Sequence, residues 1–265
     1  MTEIWHKFTT FLTRATIEDI LVLLLGLPLI AYSIFVTIAF SYKSRPLKGP
    51  DRWYLYILIA YLSSFIWIWL SYSSLFKIVP SLIFIPINLS FWLGPIIFFF
   101  VKSKLYGNFR AKGNDIKHLI LPISHLSFYL FAFLMPIEKK ATLYFGSYQL
   151  LYKPIEQVSF GIIYFFYLYF AYRYIKHEQW SITKNNTREF RIKIEWIRRF
   201  IKILWAGSWV YLSFGLIYIL NSFIFKIHFK HNYLEIMSLL TFMCSIGWLG
   251  IHAVLMKVLP KDQHV

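Results

Sequence analysis

Residues 53–75, WYLYILIAYLSSFIWIWLSYSSL, run for 23 positions without a single charged side chain. A helix needs about 20 apolar residues to cross a bilayer core of about 30 Å, so this stretch is long enough to span a membrane. Six other stretches are similarly long and apolar. The sequence therefore predicts an all-α polytopic membrane protein, a bundle of seven transmembrane helices. The predicted spans are 17–42, 53–75, 81–101, 118–137, 157–175, 200–225 and 234–257.

Basic residues are distributed unevenly between the two sides of this predicted bundle. Of the 28 Lys and Arg residues, 20 fall in the first, third and fifth connections and the C-terminal tail. Short loops rich in Lys and Arg remain in the cytoplasm, so we expect the N-terminus outside and the C-terminus inside. The expected location is a bacterial inner membrane. This orientation, with attraction to anionic lipids on the cytoplasmic face, accounts for the net charge of +16 without nucleic-acid binding.

The composition leaves no room for a separate soluble domain. Hydrophobic residues make up 58% of the chain and charged residues 15%, and no connection reaches the roughly 50 residues that a domain needs. We expect a seven-helix domain over 17–258 and a short cytoplasmic tail over 259–265. Residues 1–16 have apolar side chains along one helical face, which predicts an amphipathic helix in the interface, with a frayed terminus as the alternative.

Catalytic patterns are missing from the predicted spans. No Asp or Glu falls in the interior of any of them, and His228 and His231 have His-x-x-His spacing without an accompanying carboxylate pattern, so we expect no enzyme, no cofactor and no metal. The neutral polar and kink-forming residues remain as a candidate intramembrane site. They are Pro86, Asn88, Ser90, Gly94, Pro95, His125 and Asn221. The third span, with two prolines, is expected to bend and to turn Asn88 and Ser90 towards other helices. Simple hydrogen bonding between helices is the alternative role for these groups.

The segment before the sixth span predicts a basic amphipathic helix over 187–204. Ile194, Ile197, Ile201 and Leu204 lie along one stripe of this helix. The candidate residues for binding a partner or anionic lipid are Arg191, Arg198, Arg199 and Lys202. The segment could either lie on the membrane surface or transmit a movement of the sixth span to a cytoplasmic partner.

Short motifs resemble the membrane module of bacterial membrane-bound AraC-type transcriptional regulators. The run Leu93-Gly94-Pro95 followed by an aromatic-rich stretch and Lys102 resembles the end of that family's third span. A loop with Lys112 and Asp115, then His118 and Pro122, follows in the family's order, with three residues between His118 and Pro122 where about two are usual. The stretch from Tyr164 to Trp196-Ile197-Arg198-Arg199 also resembles the family's fifth span, basic loop and entry to the sixth.

This resemblance implies a sensory or regulatory module, but not DNA binding. Family members carry a helix-turn-helix domain after the seventh span, whereas this chain ends at Val265. The sequence therefore predicts a non-catalytic membrane module that relays a signal to a membrane or cytoplasmic protein. The alternative is a small structural or accessory subunit of an inner-membrane complex such as an exporter or a secretion machine.

Overall fold

The structure, a computed structural model, describes residues 17–44, 46, 49–73, 75–106, 109, 112–181, 188–220, 241, 244–245 and 247–251. All regular structure in this part of the chain is helical. The predicted interfacial helix over 1–16, the tail over 259–265 and Asn221 lie outside the described residues. The same holds for most of the predicted seventh span.

Among the described residues, four helices are long and apolar enough to cross a membrane. They lie within α1 (Ile17–Lys43), α2 (Gly49–Tyr72), α7 (Lys153–Ser181) and α8 (Arg188–Ile219). Between them come α3 (Leu75–Ile78), α4 (Ser90–Leu105), α5 (Ile120–Phe133) and α6 (Ile137–Leu143). The 3₁₀ segments Pro80–Leu82 and Gly113–His118, and the π-helical segment Tyr144–Tyr152, complete the described elements. The four long helices α1, α2, α7 and α8 indicate a multi-pass membrane protein.

The central helix of the bundle is α4. It contacts α2 on one side and α7 on the other, while α1 packs against α2 and α8 against α7. A helix that is apolar all round is stable only when neighbours surround it, and most α4 side chains are buried. Hydrogen bonds reinforce these contacts. The Trp69 indole donates to the Val22 carbonyl (3.1 Å), and the hydroxyls of Tyr61 and Tyr164 are 2.5 Å apart.

Large apolar side chains cover the outside of the bundle. Phe35 on α1, Phe131 and Leu134 at the end of α5, and Phe170 on α7 are each more than half exposed. Exposed large apolar side chains are this numerous more often on a surface that meets lipid or protein than on a water-soluble monomer. The same surface facing lipid carries no penalty, which agrees with a membrane location.

The predicted third span is not one helix over 81–101. Its helix begins only at Ser90, and residues 83–89 form turns and irregular backbone. Pro86 explains the break, because proline lacks an N–H and disfavours helical geometry in the residue before it. Phe84 lies in this segment with φ of 59°, an unusual value for a bulky side chain. Pro95, by contrast, is accommodated inside α4.

Two further boundaries differ from those expected. The predicted fourth span over 118–137 contains a helix of only 14 residues, α5, preceded by a 3₁₀ turn. The expected outer connection 138–156 is almost entirely helical, comprising most of α6, the π-helical segment and the first turn of α7. Pro154 does not interrupt this helical stretch, because proline fits the first turn of a helix, where its missing N–H is not needed.

Candidate functional site

A buried polar cluster joins α5, α7, the π-helical segment and the irregular segment 83–89. At its centre is the carboxylate of Glu156, in the first turn of α7. Glu156 lies just before the predicted span 157–175, and the structure places it in the first turn of the membrane-length stretch Lys153–His177. Its side chain retains 16% of its exposure, which is low for a charged group.

Four side chains donate hydrogen bonds to this carboxylate. Asn88 Nδ2 and His125 Nε2 reach Glu156 Oε1 at 2.8 and 2.9 Å. The Tyr148 hydroxyl reaches Oε2 at 2.7 Å, and the Tyr129 hydroxyl lies 3.1 and 3.2 Å from the two oxygens. An isolated buried carboxylate would be very costly, so these donors are what permit Glu156 to remain here.

Local sequence explains why these donors converge. His125 and Tyr129 are four residues apart on α5 and so project from one helical face. Asn88 is held in place because its Oδ1 accepts a hydrogen bond from the backbone N–H of Ser90, the first residue of α4 (3.2 Å). The carboxylate thus joins elements that are far apart in the chain.

Aromatic rings enclose the cluster on the side of α3 and the 3₁₀ turn Pro80–Leu82. Trp67 meets Tyr129 edge-on at 5.4 Å, and Phe84 meets Tyr148 edge-on at 5.0 Å. Lys140 on α6 closes this end by donating to the Ser81 carbonyl (2.8 Å), and burial lowers the pKa of its ammonium group. The result is a compact cap over the polar cluster.

A small cavity of about 30 Å³ adjoins the carboxylate. Its lining includes Asn88, Ser90, Tyr148, Glu156 and Gln157. This space is large enough to admit a water molecule, and the lining offers polar partners that could hold one. His125 Nδ1 is also buried, and the structure gives it no hydrogen-bond partner among the described residues.

The candidate residues predicted from the sequence separate into distinct places. Asn88, Ser90 and His125 belong to the Glu156 cluster, whereas Pro86 lies in the irregular segment before it. Gly94 and Pro95 lie further along α4, where Gly94 packs closely against Tyr167 of α7. Glu156, Tyr129 and Tyr148 were missed. The His-x-x-x-Tyr spacing at 125–129 was the available signal for this site.

The basic residues on α8 occupy its first half. Arg191, Arg199 and Lys202 are exposed, Arg198 is half-buried, and Arg199 pairs with Glu195 one turn earlier. The apolar stripe of this helix is not available to a partner. Ile194, Ile197, Ile201 and Leu204 are buried in the bundle's own core. The charged side of this helix is accessible, whereas this stripe is not.

A second, larger feature lies at the end of the bundle where basic residues gather. It is an apolar groove of about 530 Å³ between α2, α4 and the 3₁₀ turn Gly113–His118. Among the described residues, no three His, Cys, Asp or Glu side chains come together to hold a metal ion.

Comparison of the chain with family models, with curated proteins and with solved structures gives no match. The resemblance to the AraC-type membrane modules therefore remains a prediction from the sequence motifs.

Proposed function

We propose that this chain is a seven-span, non-catalytic sensory module of a bacterial inner membrane that relays a signal to a cytoplasmic or membrane partner. Its N-terminus lies outside and its C-terminus inside. The Glu156 cluster carries the proposal. An ionisable group inside a membrane helix is costly to maintain, and such groups commonly serve function.

The connectivity of the cluster suggests how a signal would act. One carboxylate joins α5, α7, the π-helical segment and the segment that leads into α4, the central helix. A signal that changes the charge or hydrogen bonding of Glu156 removes several of these links together. Because α7 packs along α8, a shift of α7 reaches the basic half of α8. The signal thus passes from one end of the bundle to the other.

The experiment compares Glu156→Gln with the wild-type chain, using a single reporter cysteine at exposed Ile192 in a Cys244→Ser background. We expect the substitution to change the rate of thiol labelling at position 192 in membranes by severalfold. Glu138→Gln, an exposed acid in the first turn of α6, is the matched control and should leave the rate unchanged. Equal labelling rates in all three proteins would show that the cluster only stabilises the local structure.

Purification from native membranes in mild detergent distinguishes the accessory-subunit alternative. If the chain is a sensor, Glu156→Gln should change the amount of partner that copurifies with it. A stoichiometric complex that is retained equally by the wild-type chain and by Glu156→Gln would instead identify an accessory subunit.

A further inference from the structure

We propose that the groove between α2, α4 and the 3₁₀ turn Gly113–His118 binds one acyl chain of an anionic phospholipid, with the headgroup at Lys112. The charged end of this groove is near the end of α4, whereas the Glu156 cluster is at its start, and the proposal does not depend on the sensory role.

The groove has the lining that an acyl chain requires. Its walls are aromatic and aliphatic, including Trp53, Tyr56, Ile59, Trp92 and Phe99. Its volume of about 530 Å³ lies within the usual range of ligand sites, about 300–1,000 Å³. Along α4 the lining extends from Leu89 to Phe99, a rise of about 15 Å. That length is about half of the bilayer core, the depth that one leaflet's chain occupies.

The charged side chains among the described lining residues are at one end of the groove, at the 3₁₀ turn. Lys112 and Asp115 are there. The Asp115 carboxylate is already engaged, because it accepts from the Lys112 backbone N–H (2.8 Å) and pairs with Lys102 (3.2 Å). These contacts, the Lys112 hydrogen bond foremost, lower the pKa of Asp115 and keep it ionised. Lys112, Lys102 and nearby Lys117 leave this end of the groove net positive.

An occupant with one anionic end and one long apolar tail fits this arrangement. A zwitterionic lipid would fill the same walls but gain less from Lys112. A soluble anion has no apolar part that could contact the apolar walls. A transmembrane helix of a partner would not need the charge at the mouth. Charge complementarity therefore favours an anionic phospholipid.

The test is native mass spectrometry of the purified, delipidated full chain, titrated with phosphatidylglycerol and with phosphatidylcholine of equal chain length. We expect saturable binding of one phosphatidylglycerol, about fivefold tighter than phosphatidylcholine, since one basic group contributes about 1 kcal/mol. Lys112→Gln should abolish this preference. Lys117→Gln is the matched control, because Lys117 is exposed on the same turn but does not line the groove.

Ile59→Trp provides the second arm. Ile59 is 38% exposed and lines the groove, so a larger ring there fills the groove rather than the core. It should weaken both lipids at least tenfold while the protein remains monodisperse. Equal binding of the two lipids, unchanged by Lys112→Gln or Ile59→Trp, would overturn the proposal in favour of annular lipid or another occupant. So would an equal effect of Lys117→Gln, which would indicate surface charge alone.

Discussion

Glu156 shows how a single residue can determine the local arrangement of a membrane protein. Each of its carboxylate oxygens accepts from at least two donors, and the four donors come from three separate elements. In a medium of low dielectric constant these bonds are strong, and a donor left without its acceptor is costly. The cluster therefore either forms as a whole or is disrupted as a whole, which is the behaviour that a switch requires.

Gly94 illustrates the opposite kind of constraint, that of space. A Cβ at this position would lie 2.7 Å from Tyr167 Cδ2 and 3.1 Å from Tyr167 Cβ. Since contact extends to the root of the tyrosine side chain, the ring cannot move aside without a shift of α7. Close approach of α4 and α7 thus requires glycine here, as small residues permit in other membrane helix pairs.

We predict that Gly94→Ala lowers stability by about 1–3 kcal/mol, the usual cost of overpacking a tight interface. Gly247→Ala is the matched control, because this glycine is also helical and a Cβ added to it would have no described atom within 4 Å. Thermal unfolding in mild detergent would show the difference. Equal melting temperatures for the two variants would mean that α4 and α7 separate easily.

At the scale of elements, apolar length predicts the long helices well. Spans expected at 17–42 and 157–175 correspond to α1 (Ile17–Lys43) and to the middle of α7 (Lys153–Ser181). A long apolar run has few ways to satisfy its backbone in lipid other than a helix. This rule says nothing about segments buried within protein. Just before the irregular segment, the Ser81 carbonyl accepts from Lys140, a residue 59 positions away that only the tertiary structure brings near.

The same limit explains why the polar cluster was only partly predictable. Asn88 and His125 stood out because polar groups are rare in apolar spans. Glu156 did not, since Lys153 and Pro154 beside it have the composition of a loop. Its burial depends on donors 27 to 68 positions away in the chain, together with Tyr148. No local pattern contains that information.

The element prediction concerns the charged side of α8. Replacing Arg191, Arg198, Arg199 and Lys202 together with Gln should weaken binding to anionic vesicles or to a partner by a few kcal/mol at most, since each contributes about 1 kcal/mol. High salt should shrink the effect, because the Debye length at physiological ionic strength is about 8 Å. Vesicle co-sedimentation at two salt concentrations measures both.

The matched control replaces the three arginines with Lys and Lys202 with Arg, which keeps the charge. It should retain binding. If the Gln variant binds as well as the wild-type chain, the charged side of α8 is not the working surface. In that case α8 would have only a structural role, in which its buried apolar stripe packs within the bundle.

At the scale of the whole molecule, the Glu156 cluster and the charged end of the apolar groove lie at opposite ends of α4. The Glu156 cluster is near the start of α7, and the apolar groove is near the starts of α2 and α5. Successive long helices that run antiparallel place these points at different depths. In the orientation that the basic residues favour, the cluster is towards the outside and the groove towards the cytoplasm.

That orientation is testable with cysteines placed at 145 and 184 in a Cys244→Ser background. Phe145 is 44% exposed in the π-helical segment, so a cysteine there is accessible, and position 184 lies in the basic fifth connection. An impermeant thiol reagent added to intact cells should label 145 and spare 184. Both should react in lysed cells, which controls for accessibility. Labelling of 184 but not 145 in intact cells would reverse the topology and place Glu156 on the cytoplasmic side.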